Sequence, residues 1–439
     1  MDVKTGSGWL LAGVFAAQPV FAEDLVRIYE RALATNPQLA AAEADYKAVV
    51  EQRPQGRAGL LPNITATGTL SKQRYKNLDP SEPATTPDNK TATINLTQPL
   101  FRYDRWIALR QADSQVAAAE ANLAIAKQTL IVTVAQQYFD LLAAQDNLVF
   151  ARSEKEAIAR QLDQAKQRFD VGLIAITDVH EAQAGYDLAV SQEINAVSTL
   201  DEAKDALRQT VGQRYDTVDP LREEVPLTNP DPDSSDAWVE QANKTNLSIL
   251  AAQADVDTAL DEVKRQRAGH LPTLDLFADY GYQDATFGGI APVKRTTGEV
   301  GVQLDVPIFS GGLTSSKTRQ AHDRFQQSTE QLNQVTRTAE FETRKAYRDI
   351  RSAIAQVKAF AESVISTKSA LDAEQAGFDV GTRTIVDFLQ AQREYYRAKY
   401  NYAQARYQYL VDRLKLKEQA GTLGEGDLAD INQHLETAE

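Results

Sequence analysis

Large and small apolar residues recur at sevenfold spacing along two long stretches of this chain. In the first, Leu109, Val116, Leu123 and Leu130 fall seven apart, with Ala112, Ala119, Ala126 and Thr133 three residues behind each. In the second, Phe388, Tyr395, Tyr402, Tyr409 and Leu416 keep the same interval. A heptad seam predicts helices that pack lengthwise on a partner, which makes the tyrosine stripe a packing feature before it is a ligand site. No proline lies between Pro99 and Pro220, and none follows Pro307. Each stretch is interrupted midway by Gly172 or Gly381, a residue type suited to ending a helix. The pattern predicts two helical hairpins, 103–171 with 173–211 and 312–380 with 382–420. The first helix of each would be roughly 100 Å long at about 1.5 Å per residue. An element of that length builds a bundle or a tube. Shorter helices are expected ahead of the hairpins, at 24–53 and 236–267.

Between the short and long helices the period changes from seven to two. Val300, Val302, Leu304, Val306 and Ile308 alternate with Glu299, Gly301, Gln303 and Asp305. Leu274, Leu276, Ala278, Tyr280 and Tyr282 alternate with Thr273, Asp275 and Asp279, and Ala92, Ile94 and Leu96 with Thr93, Asn95 and Thr97. Strands are predicted at about 62–74, 91–101, 272–283 and 297–309, joined in pairs by polar loops at 75–90 and 283–296. Standing alone, such segments would read as a soluble antiparallel sheet with one wet face. Next to helices that cannot share a small core with them, they read as strands of a membrane barrel, whose strands have about this length. Four strands cannot close a barrel, and an open edge in lipid leaves backbone groups unpaired. Two, three or four copies would supply eight, twelve or sixteen strands, and the pattern does not choose.

The chain is also duplicated. Phe169-Asp170-Val171-Gly172 returns 209 residues later (169 to 378) as Phe378-Asp379-Val380-Gly381. Asp178 returns as Asp387, Ala58-Gly59-Leu60-Leu61-Pro62 as Ala268-Gly269-His270-Leu271-Pro272, and Gln98-Pro99-Leu100-Phe101 as Val306-Pro307-Ile308-Phe309. This gives a first repeat at 23–212, a linker at 213–235, a second repeat at 236–421 and a tail at 422–439. Ahead of them, the apolar run from Leu10 to Ala17 and the small residues before Glu23 resemble a secretory signal over 1–22, although the basic end is weak; a frayed cytosolic terminus is the alternative.

The chain has 439 residues, no cysteine and a net charge of −14. Disulfides, thiolate metal sites and cysteine nucleophiles are excluded, and the charge argues against nucleic acid as a partner. No run of 18 apolar residues marks a transmembrane helix. His180, His270, His322 and His434 have no metal-ligand spacing, Phe309-Ser310-Gly311-Gly312 lacks the Lys of a phosphate loop, and no serine sits in a nucleophile elbow. The expectation is a protein with no cofactor, no metal and no catalytic constellation.

Gly269-His270-Leu271-Pro272-Thr273-Leu274-Asp275-Leu276, Val171-Gly172-Leu173-Ile174-Ala175-Ile176-Thr177-Asp178-Val179 and Val380-Gly381-Thr382-Arg383-Thr384-Ile385-Val386-Asp387 resemble the TolC family of outer-membrane channels. The resemblance covers the chain from Glu23 to about Leu428. It implies a mixed α and β membrane protein of a Gram-negative bacterium: a trimeric twelve-stranded transmembrane β-barrel continued by a long periplasmic α-helical barrel. It implies a passive exit duct for multidrug efflux and type I secretion, docked to a periplasmic adaptor and an inner-membrane RND, ABC or MFS pump. By position, 312–420 is the inner hairpin and 103–211 the outer one. Arg383 would pair with Thr177 and Asp178, with Gln167 nearby, and Asp387 would face the pore. Without the resemblance, Arg383 and Asp178 read as solvated charges near helix ends.

Two positions depart from the family type. Gln390 stands where the type has a second aspartate, so the constriction should carry one acidic ring. Phe378 stands where the type has tyrosine, so a hydroxyl link to the outer coil is lost. Both departures imply a closed state held by fewer polar links. Val171, Gly172, Leu173, Val380, Gly381 and Thr382 resemble the tips where an adaptor docks, although a helix C-cap explains the glycines alone. Two alternatives remain: a dedicated metal or small-molecule duct of the same family, disfavoured by the lack of Met and His clusters, and a soluble periplasmic coiled-coil adaptor, disfavoured by the lack of a lipoyl-like domain.

Overall fold

The computed structural model describes residues 23–72, 88–285 and 293–436; the expected signal segment and the centres of both polar loops lie outside them. In the first copy, α1 (Leu25–Thr35), α2 (Pro37–Val50) and α3 (Gln52–Ala58) lead into β1 (Asn63–Lys72) and β2 (Asp88–Phe101). The outer hairpin follows as α4 (Tyr103–Asp170) and α5 (Ile176–Val211). The second copy runs α6 (Ser235–Thr245), α7 (Leu247–Arg267), β3 (Thr273–Ala285), β4 (Val293–Asp305), then the inner hairpin, α8 (Leu313–Asp379) and α9 (Ile385–Gln419). A short α10 (Glu425–Asn432) closes the chain.

The long helices span 68 and 67 residues, and each is unbroken because its interior lacks proline and glycine until the last turn. Their returning partners have only 36 and 35 residues. The shortfall is made up by stacking a second helix end to end on each. Asn36 does this in the first copy: its Nδ2 donates to the Thr210 carbonyl (3.0 Å) at the end of α5, and its Oδ1 accepts the Leu39 N–H (2.9 Å) at the start of α2. Asn246 repeats the device, donating to the Gln419 carbonyl (2.7 Å) of α9 and accepting from Ser248 (3.0 Å) and Ile249 (3.2 Å) of α7. Thr35 and Thr245 add hydroxyl bonds to the Val211 (2.7 Å) and Ala420 (2.6 Å) carbonyls. The helices expected at 24–53 and 236–267 are therefore each broken, because Asn36 and Asn246 serve as caps for two helices at once.

The four strands form one antiparallel sheet in the order β1-β2-β3-β4, leaving β1 and β4 as unpaired edges. Both edge strands are open: on β1 and β4 nearly every residue is exposed, apolar Val300, Val302 and Leu304 included. β4 stops at Asp305, short of the expected 309, since Pro307 has no N–H to continue a ladder. The same pairing begins at Val293 opposite Ala285, inside the expected loop, where Lys294 faces Asp284 (3.8 Å). No described helix is long and apolar enough to cross a membrane.

The main core lies midway along the helices. Tyr138, Phe139, Tyr407 and Tyr409 meet there with Leu25, Ile28 and Leu410, and Phe139 stacks on Tyr407 at 5.7 Å. Their hydroxyls tie down the linker: Tyr138 donates to the Asp219 carbonyl (2.7 Å), and Tyr409 bonds the Thr228 backbone, accepting from its N–H (2.9 Å). Leu428, Ile431 and Leu435 of the tail are buried in the same core, so 422–436 is a packed element.

Candidate gate at the hairpin tips

Both hairpins turn by the same motif. In the outer copy Gly172 adopts φ 77°, which lets the Leu173 N–H reach the Arg168 carbonyl (2.8 Å) and its own N–H the Phe169 carbonyl (2.8 Å). In the inner copy Gly381, at φ 81°, does the same with Thr382 on Gly377 (2.8 Å) and Gly381 on Phe378 (3.1 Å). Capping thus explains the glycines. It does not explain Val171, Leu173 and Val380, which are 70%, 74% and 75% exposed at the ends of the helices.

The returning helix of each copy begins around an aspartate. Asp387 accepts from the Thr384 N–H (3.1 Å) and hydroxyl (2.7 Å), while its own N–H donates to Thr384 Oγ1 (3.2 Å). Asp178 accepts the Ala175 N–H (3.2 Å), but Ala175 has no side-chain oxygen with which to complete the box. The bonds from Thr384, with Arg383 nearby, hold the Asp387 carboxyl below the usual carboxylate range, so it is ionised at neutral pH. Gln390 lies one turn further along, exposed.

Within the single chain Arg383 does not meet Thr177 or Asp178. Its Nε lies 3.4 Å from Glu374 Oε2 on its own hairpin, with the side chain folded over the last turn of α8. Gly377 makes the room: a Cβ there would stand 2.5 Å from Arg383 Cγ. Thr177 and Gln167 are exposed, and among the described residues neither has a side-chain bond.

Phe378, which has no hydroxyl to offer the outer coil, is a buried ring, 6% exposed, stacked on Phe388 at 6.0 Å in a cluster with Ile158, Leu162, Ala182 and Leu389. This cluster joins α4 and α5 to α8 and α9. Arg168, which sequence reasoning missed, covers the ring from the outer hairpin, its Cζ 4.9 Å from the centroid and its Nη2 3.3 Å from Asp379 Oδ1. The signal was present: Arg168 stands directly before the repeated Phe-Asp-Val-Gly, where the other copy reads Gly377.

Further up the same seam sits Glu154, 8% exposed, with its Oε1 unpartnered. Burial pushes its carboxyl up from 4.5 to about 7, against an opposing pull from Arg393. The two line a cavity of about 580 Å³ between α4, α5 and α9, with Gln192, Asn195 and Tyr396.

A sheet with bare, exposed edge strands, carried on helices of 68 and 67 residues that end in charged, tightly turned tips, defines an outer-membrane channel continued as a helical tunnel. The family model described as "Outer membrane efflux protein" matches residues 28–213 and 238–422, one segment per copy. The chain is 39% identical over 425 residues to the outer membrane protein TolC of Vibrio cholerae (95% of each chain), and 36% identical over 428 residues to that of Escherichia coli (94% of this chain, 85% of the relative). It is 31% identical over 441 residues to the alkaline protease secretion protein AprF of Pseudomonas aeruginosa (98% and 91%). Among solved structures, the outer membrane protein VceC of Vibrio cholerae superposes with a TM-score of 0.78 at 21% identity, over 90% of this chain and 96% of that one. The chain belongs to the outer membrane efflux protein family. It is an exit duct of the Gram-negative outer membrane, in a family of channels and not of enzymes.

Proposed function

We propose that three copies join edge to edge into one twelve-stranded barrel, and that the resulting duct passively releases cargo handed to it by an adaptor and an energised inner-membrane pump. The observation that carries this reading is the sheet: among the described residues β1 and β4 are edge strands, each exposed along nearly its whole length with its apolar residues, a state tolerable only when other copies close the edges and lipid covers the outside. The pump would be of the RND, ABC or MFS type. The relationship to an alkaline protease secretion protein favours polypeptides exported by type I secretion among the cargo, beside small amphiphiles. The adaptor would dock on the exposed Val171-Gly172-Leu173 and Val380-Gly381-Thr382 tips.

The tips would also form the gate. The Arg383 side chain, exposed and paired with Glu374 at 3.4 Å, would reach Thr177 and Asp178, with Gln167 close by, on an outer hairpin. A planar fork of donors can tie a hydroxyl and a carboxylate together. Asp387 would supply one ring of carboxylates to the constriction, with uncharged Gln390 one turn beyond, a ring that favours cations. Opening would be an iris-like movement of the inner hairpins once the Arg383 links break. Single-channel recording in planar bilayers tests this: Arg383→Ser and Asp178→Ala each raise conductance. Unchanged conductance in both, from oligomers that still resist unheated SDS, sinks the gate assignment.

A further inference from the structure

Phe169-Asp170 and Phe378-Asp379 occupy the same positions of the two copies, yet only the second pair is engaged. Phe169 is 38% exposed and Phe378 6%. Asp379 holds an ion pair, whereas Asp170 has none among the described residues. The preceding residue makes the difference. In the outer copy it is Arg168, which projects from the last turn of α4 onto the inner hairpin. In the inner copy it is Gly377, and the space a side chain would need is taken by Arg383. The contact is therefore one-way: the cation belongs to the outer hairpin, both acceptors to the inner one.

We infer that Arg168 is an intra-chain latch that seats the inner hairpin against the outer one in the resting duct. This rests on reading the tips as a gate. The other contacts between the hairpins at this level, through Phe378, Ile385, Phe388 and Leu389, are apolar and non-directional, and they permit sliding. Arg168 adds direction, because its guanidinium must stay over the ring while one of its nitrogens meets the carboxylate. It acts at the free end of the hairpin, where a small rotation gives the largest displacement. A purely local role, as a cation near the C-terminus of α4, would need neither Phe378 nor Asp379.

The test is single-channel conductance of the full-length protein in planar bilayers, for Arg168→Ala, Arg168→Lys and Asp379→Asn beside Arg383→Ser. Loss of a ring contact and a partly exposed ion pair lowers the closed-to-open ratio about tenfold per chain. Arg168→Ala is therefore expected to raise mean conductance, with Asp379→Asn and Arg168→Lys in between, and all variants to remain heat-modifiable oligomers. If Arg383→Ser raises conductance while Arg168→Ala and Asp379→Asn leave it unchanged, the latch is overturned and the gate stands. If none of the four changes it, the gate reading falls and the latch with it. Should Arg168→Ala fail to assemble, Asp379→Asn at a half-exposed position decides the matter alone.

Discussion

Replacing Glu154 with glutamine should stabilise the seam between the hairpins at pH 8 and leave it nearly unchanged at pH 5. Glu154 is 8% exposed, its Oε1 has no partner, and Arg393 is the one charge that opposes the cost of burying it. The carboxyl, ordinarily at 4.5, is pushed up to about 7 in the packed seam. Because the packed state holds the proton more tightly than the opened one, stability is full below about 4.5 and falls as pH rises through 7. Each pH unit of that difference corresponds to about 1.4 kcal/mol, so the packed seam forfeits about 3 kcal/mol per chain once Glu154 ionises. The amide keeps the shape and never ionises. Amide hydrogen exchange across α4 residues 150–162, wild type against Glu154→Gln at matched pH, reads the difference without interference from intrinsic exchange rates. Protection in the variant should rise by up to about a hundredfold at pH 8. Equal protection at pH 8, or an equal gain at pH 5, would refute the argument.

Three further substitutions test the helix splices and turns. Gly421, at φ 69°, sits against the Thr245 carbonyl, where a Cβ would stand 2.0 Å from the oxygen. Gly421→Ala should cost about 3–5 kcal/mol, whereas Gly172→Ala, with open space around it, should cost only about 1 kcal/mol for its φ; thermal unfolding of the purified variants orders them. Asn246→Ala removes bonds to α9 and α7 together and should cost about 2–3 kcal/mol, with exchange increasing at Leu247–Ile249 and at the end of α9 before anywhere else.

The hairpins were legible because their cause is local and periodic. The heptads place α4 and α9, and Gly172 and Gly381 mark turns that the structure puts at Val171–Ala175 and Val380–Thr384. The breaks at Asn36 and Asn246 were not, since an asparagine that caps two helices at once looks like any polar residue until the second helix is known. Strand pairing beyond Gln283 was hidden for a related reason: Asp284 opposite Lys294 breaks the alternation, and the gain comes from the cross-strand neighbour. At the tips, the repeat offset pairs Asp178 with Asp387, but that both cap the start of a returning helix emerges only from the structure. The contacts between the hairpins were out of reach, because Arg168, Phe378 and Asp379 come from segments about 210 residues apart and no local pattern links them.

Where the copies agree and where they diverge divides the molecule mechanically. A 68-residue helix needs a lengthwise partner, and α5 with α2, or α9 with α7, supplies one only if the two pieces act as a single rod. The splice that joins them is the same in both copies: a threonine hydroxyl and an asparagine amide on the last carbonyls of one helix, the asparagine oxygen on the first N–H groups of the next, and Gly212 or Gly421 turning the chain away. With the tyrosines of the central core packed beside it, this region has little freedom to move. The tips have no splice. Their two copies share the turn and the capping aspartate but differ at Arg168 against Gly377 and at Ile174 against Arg383. On the proposed latch and gate, these are the positions that set which hairpin holds the other. Motion confined to the inner tip requires a rigid shaft and unequal ends, and the duplication supplies the first while its divergence supplies the second.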